Sequence, residues 1–215
     1  LRRGRAAQAR VVLAWTFLVA LGLSALALFE NENDLRAPAA VFVAQGGLLL
    51  AIGAALRHRW FSLAGTLGVF AGAACAVLHF EPSAAVAVLA LSAVGLVAVV
   101  AAAWLARGDA VASGPVRAGL LDATALLALV LVAVATLDTL RLLPAPAWHG
   151  LGYLLLTVLL ASVAFSLRRP EGIALAALAL GATGARVVMG IAPEAGGDVY
   201  FLVLAALSGV VLLTP

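Results

Sequence analysis

Residues 83–106 read SAAVAVLALSAVGLVAVVAAAWLA, and no charged residue interrupts them. A helix rises about 1.5 Å per residue, so about 20 apolar residues cross a bilayer core about 30 Å thick; this run is long enough. Apolar and polar residues do not alternate along it with a period of two, and Ala, Val and Leu dominate, which separates it from a strand of an outer-membrane barrel. It reads as a transmembrane helix. The rest of the chain follows suit, because 65% hydrophobic and 11% charged residues in 215, with a mean hydropathy of +1.17, exceed what a soluble core of this size can bury.

Working outward from that run, eight apolar segments separated by polar breaks emerge: 11–29, 38–56, 61–79, 83–106, 118–138, 147–167, 172–191 and 197–213. The expected fold is an all-α integral membrane protein of eight transmembrane helices. The first run is followed by an acidic loop rather than a small-residue cleavage site, so it reads as a retained helix.

Arginine placement sets the orientation, since basic residues in short loops stay in the cytoplasm. With the N-terminus inside, the inner side collects Arg2, Arg3, Arg5, Arg10, Arg57, Arg59, Arg107, Arg117, Arg168 and Arg169. The outer loops collect Glu30, Glu32, Asp34, Glu81, Glu194 and Asp198, against Arg36 and Arg141. Asp109 and Glu171 dilute the bias without reversing it. Trp60 and Trp104 then fall at the inner interface and Trp148 and Tyr200 at the outer one, where amphipathic rings are favoured. Both termini are expected in the cytoplasm. All 13 basic residues are arginine, and with the abundant alanine this suggests a GC-rich bacterial genome and hence the cytoplasmic (inner) membrane. The net charge of +3 and pI near 10.0 do not imply nucleic acid, because the arginines are scattered over several loops and read as topology signals and headgroup contacts.

A shift of 113 residues places Ala64, Gly68, Gly72 and Glu81 on Ala177, Gly181, Ala185 and Glu194, and Leu89, Leu91, Ala93 and Val97 on Leu202, Leu204, Ala206 and Val210. DLRAPA (34–39) faces DTLRLLPAPA (138–147), and GGLLL (46–50) faces GYLLL (152–156), at a smaller shift of 104 to 106. Either chance in an Ala- and Leu-rich chain or a duplication accounts for this. A duplication divides one membrane domain into halves 1–106 and 118–215 joined by a cytoplasmic linker, 107–117, with both halves oriented alike. The stripes Ala64/Gly68/Gly72 and Ala177/Gly181/Ala185 would then make the third and seventh segments the packing centre, because small residues let backbones approach closely in lipid.

Ionisable residues at membrane depth are the first functional candidates, each costing about 2.5 to 3.5 kcal/mol at the bilayer centre. Asp122 and Arg186 qualify. Counting about 1.5 Å per residue, Asp122 lies about 7 Å inside the inner boundary and Arg186 about 10 Å below the outer one, so they do not meet. Arg186 is expected to reach outward to Asp138 as a structural pair, with substrate binding as the alternative. Asp122 is expected to be a helix-start carboxylate favoured by the dipole, with a proton relay as the alternative.

His79 and His149 fall at the outer ends of two segments and would share a metal or haem only if those helices adjoin; no ligand spacing supports it, and His58 sits in a basic inner turn. Cys75 lies within the third segment and packs as a small apolar group. In FENENDLRAP (29–38), Glu30, Glu32 and Asp34 occupy the first, third and fifth positions of a calcium loop, but Leu35 and Val41 stand where glycine and the bidentate glutamate belong. The stretch reads as an acidic turn that sets topology, with Pro38 at the start of the second segment. No metal or cofactor is expected.

No GxSxG, P-loop or defensible Ser-His-Asp spacing occurs, and polar residues at membrane depth are few. The expected function is a non-enzymatic scaffold or accessory subunit, with the bilayer and other membrane subunits as partners. A small transporter or channel for a small or apolar solute is the alternative, and a membrane-embedded lipid-modifying enzyme comes third.

Overall fold

A computed structural model of the chain describes residues 34–107, 110–140, 149–168 and 170–192, with isolated positions at 19, 198, 199, 202, 203, 205, 206 and 209. The expected first and eighth segments therefore lie outside the described residues apart from those positions, as do Glu30, Glu32, Trp148 and Tyr200. Six helices fill the rest: α1 (Arg36–Leu56), α2 (Arg59–Leu78), α3 (Ala84–Leu105), α4 (Ala110–Leu140), α5 (Gly150–Leu167) and α6 (Pro170–Ile191). All six are long and apolar enough to cross a membrane, and no strand occurs among the described residues.

Helix ends follow local chemistry. Asp34 Oδ1 accepts the Arg36 amide at 3.0 Å, occupying one of the donors a helix start leaves free. At the far end of α1, Arg57 turns left-handed (φ 53°, ψ 46°), and the amides of Arg57 and His58 fold back onto the carbonyls of Ala54 and Gly53. Arg168 closes α5 in the same way (φ 54°, ψ 42°), and Pro170 then opens α6 where its missing N–H costs nothing. Two helical hairpins, α1–α2 and α5–α6, thus turn on an arginine in a conformation that glycine normally takes.

The α1–α2 hairpin is held by backbone proximity. A Cβ on Gly46 would stand 2.6 Å from the carbonyl oxygen of Gly65 and the amide of Val69, and one on Gly65 would stand 2.5 Å from the amide of Leu50. These positions admit only glycine, and the close approach maximises dispersion where the hydrophobic effect does not act.

The main core gathers Val88, Leu91 and Val99 from α3, Ala128, Leu131 and Ala135 from α4, and Tyr153, Leu156, Leu159, Leu160 and Val163 from α5, with Ala176 and Ala179 of α6 against them. The centre of the bundle is therefore α3, α4 and α5. This corrects the expected packing centre, because α2 and α6 do not pack substantially on each other: Gly68 and Gly72 of the first stripe lie against α1, and α6 packs mainly on α5. Since α4 packs on α2, α3, α5 and α6, the described helices form one unit, and residues 110–117 of the expected linker are the first turns of α4. The outside of the bundle carries large apolar side chains such as Val97, Val100, Val130, Leu137 and Phe165, a surface suited to lipid. Trp60 and Trp104 lie exposed at one common end.

Candidate functional site

Three helix ends meet around Arg186. Asp138 sits in the last turn of α4, Tyr153 in the first turn of α5, and Arg186 on α6 before its end. A Cβ on Gly150 would come 2.6 Å from Val187 Cγ2, so glycine at the start of α5 lets that end settle against α6. Arg186 is 2% exposed and Tyr153 fully buried, while the Asp138 side chain retains 19% exposure.

The guanidinium Nη2 of Arg186 donates to Asp138 Oδ2 and, at 2.8 Å, to the Asp138 carbonyl oxygen. The Tyr153 hydroxyl donates to the same Oδ2, and Arg186 Nη1 lies 3.9 Å from Met189 Sδ. The carbonyl is one of the last four of α4, which have no partner within the helix, and the negative dipole end there favours a cation. Arg186 thus caps α4 while neutralising its carboxylate, and Tyr153 supplies a second donor to that carboxylate. With this charge matched and hydrogen-bonded, the cluster ties three helices together and exposes no unmatched carboxylate for proton transfer.

Asp122 lies elsewhere. It was expected at a helix start, but α4 begins at Ala110 and runs through Pro115, which puts Asp122 in the fourth turn, beyond the reach of a helix-start dipole. Its partner is Arg59, the first residue of α2, with Nη2 at 2.6 Å and Nε at 2.7 Å from Oδ2. Gly119 makes the approach possible, since a Cβ there would meet the Leu63 amide at 2.7 Å. The pair is half open to its surroundings, with Arg59 54% and Asp122 22% exposed.

At the opposite end, Arg36 Nε donates to His79 Nε2 at 2.8 Å, and His79 Nδ1 lies 3.6 Å from Asp34 Oδ1. Both ring nitrogens thus face protein partners, Nε2 the Arg36 guanidinium and Nδ1 the Asp34 carboxylate. His79 follows α2 and His149 precedes α5, and these two helices do not pack substantially on each other, so the adjoining helices that a shared metal or haem would need are not found among the described residues. Among the described residues no three His, Cys, Asp or Glu side chains form a metal-holding group. Glu30 and Glu32 lie outside the described residues, so the acidic turn is represented by Asp34 alone.

Most of the remaining hydroxyls turn inward on their own helices, although Ser113 donates across to the Leu105 carbonyl and the buried Ser92 hydroxyl has no partner among the described residues. Thr66, Thr124, Thr136, Thr157, Ser162 and Thr183 each donate to the carbonyl four residues earlier, at 2.7 to 2.9 Å. Two members of the polar clusters, Tyr153 and Arg59, were not singled out as candidates from the sequence. Tyr153 interrupts the apolar run GYLLL beside a glycine, and Arg59 faces Asp122 across the same boundary; those were the available signals. Comparison with known proteins adds nothing to this geometry: no family model, curated protein or solved structure matches the chain.

Proposed function

We propose that this chain is a non-enzymatic multi-pass scaffold or accessory subunit of a larger membrane assembly, seated in a bacterial cytoplasmic membrane with its arginine-rich ends inside. The observation that carries the reading is the state of the buried polar groups. Arg186 and Tyr153 both donate to Asp138 at three helix ends, and Thr66, Thr124 and Thr183 bond their own backbones, while the Ser92 hydroxyl and the Arg117 Nε stand apart without a partner among the described residues. A solute path or a catalytic centre needs polar groups held ready for a ligand, whereas this pattern supports a rigid body that presents apolar faces.

A small transporter is the second reading. It draws on the likeness of the two hairpins, each closed by a left-handed arginine, which favours a duplicated unit. Purification in mild detergent separates the two. A one-to-one membrane partner whose abundance falls when the chain is deleted supports the subunit reading. A chain that purifies alone and moves a solute in proteoliposomes overturns it.

A further inference from the structure

At the arginine-rich end of the bundle a groove of about 770 Å³ opens between the C-terminal ends of α3 and α5 and the first turns of α4 and α6. Small residues, Ala102, Ala106 and Ala164, line it together with two cations, Arg117 and Arg168. Arg117 differs from the other arginines near membrane depth. Arg59 and Arg186 have carboxylates, whereas among the described residues no carboxylate pairs with Arg117, and its Nε is buried without a hydrogen-bond partner. A guanidinium nitrogen left unmatched is costly, and the planar fork takes an oxyanion, phosphate or carboxylate, as its partner. Arg168 supplies a second, exposed cation from the α5–α6 turn, where the left-handed backbone holds it. The rim carries exposed apolar groups, Phe165 at 88% and Ile173 at 50%. Cations at headgroup depth beside an apolar rim match an amphiphile with a phosphate head and hydrocarbon tails.

We propose that this groove is a binding site for the phosphate headgroup of an anionic lipid, held by Arg117 and Arg168 with an acyl chain along Phe165 and Ile173. The test uses the full chain in detergent, titrated with phosphatidylglycerol, phosphatidylcholine or inorganic phosphate, with binding read by native mass spectrometry and thermal stability. Phosphatidylglycerol is expected to bind and stabilise, and phosphatidylcholine to do so at least about tenfold more weakly, as lost net anionic charge implies. Arg168→Gln, an exposed change, should weaken phosphatidylglycerol by about tenfold; Arg117→Gln should do the same or more; and Arg57→Gln, at the other hairpin, should leave it unchanged. If Arg117→Gln does not fold, Arg168→Gln decides. Equal binding of the two lipids, equal losses from Arg57→Gln and Arg168→Gln, or inorganic phosphate displacing the lipid at equal concentration would each overturn the lipid site, the last pointing to a free-anion site.

Discussion

Removing the carboxylate of Asp138 tests the three-helix cluster most sharply. In Asp138→Ala, Arg186 keeps the backbone carbonyl of residue 138 at 2.8 Å but loses the counter-charge of the Asp138 carboxylate while 2% exposed. Breaking a buried pair from one side costs about 3 to 5 kcal/mol, and the partial exposure of Asp138 argues for the lower end, about 3 kcal/mol. At about 2 to 4 °C per kcal/mol for a chain of this size, the melting midpoint should fall by about 6 to 12 °C. The buried Tyr153 hydroxyl loses its acceptor as well, a further cost of about 1 to 3 kcal/mol that Tyr153→Phe removes. The triple variant Arg186→Leu, Asp138→Leu, Tyr153→Phe should therefore be more stable than Asp138→Ala alone, since an apolar replacement leaves nothing unmatched. Thermal unfolding in detergent, followed by helical circular dichroism, measures both. A midpoint for Asp138→Ala within about 2 °C of wild type, less than about 1 kcal/mol, would refute the reasoning.

Other changes separate tight contacts from loose ones. Gly65→Ala should cost about 1 to 3 kcal/mol in the same assay, because its Cβ meets the Leu50 amide at 2.5 Å, whereas Gly47→Ala, with nothing within 4 Å, should be neutral or stabilising. Coupling between Arg59 and Asp122 in a double-mutant cycle should stay below about 1 kcal/mol and shrink with added salt, as both side chains are partly exposed. Millimolar calcium should leave the melting midpoint unchanged, and Asp34→Asn should not alter that result, since Asp34 is engaged by the Arg36 amide and His79.

Hydrophobic run length made the six described spans legible in the sequence, and the Arg186–Asp138 contact was legible because depth, reach and sign each pointed to it. What stayed hidden depended on rotation about a helix axis. A stripe at every fourth residue drifts around a helix of 3.6 residues per turn, so beside Gly68 and Gly72, which do meet α1, the close approach also takes in Gly65 with Gly46, to which the spacing did not point. Asp122 was misplaced because Gly114 and Pro115 look like a linker, yet a proline so near a helix start removes few hydrogen bonds, and α4 runs on from Ala110. Tyr153 carries no charge to betray its place among Leu and Gly. The cationic groove was unreadable because its arginines, Arg117 and Arg168, are separated in the chain and joined only by the packing of α3, α4, α5 and α6.

The proposed lipid site requires the chain to thread the membrane with Arg57, Arg107 and Arg168 on the cytoplasmic face and Glu81 on the other, for only then does the groove meet an anionic leaflet. Single cysteines introduced at Glu81 and at Arg107, in a Cys75→Ser background, report this directly when intact cells are treated with a membrane-impermeant maleimide. Labelling at position 81 in intact cells and at position 107 only after permeabilisation is the expected result. Labelling at 107 and not 81 in intact cells would invert the orientation, and labelling at both would contradict the transmembrane path of α3.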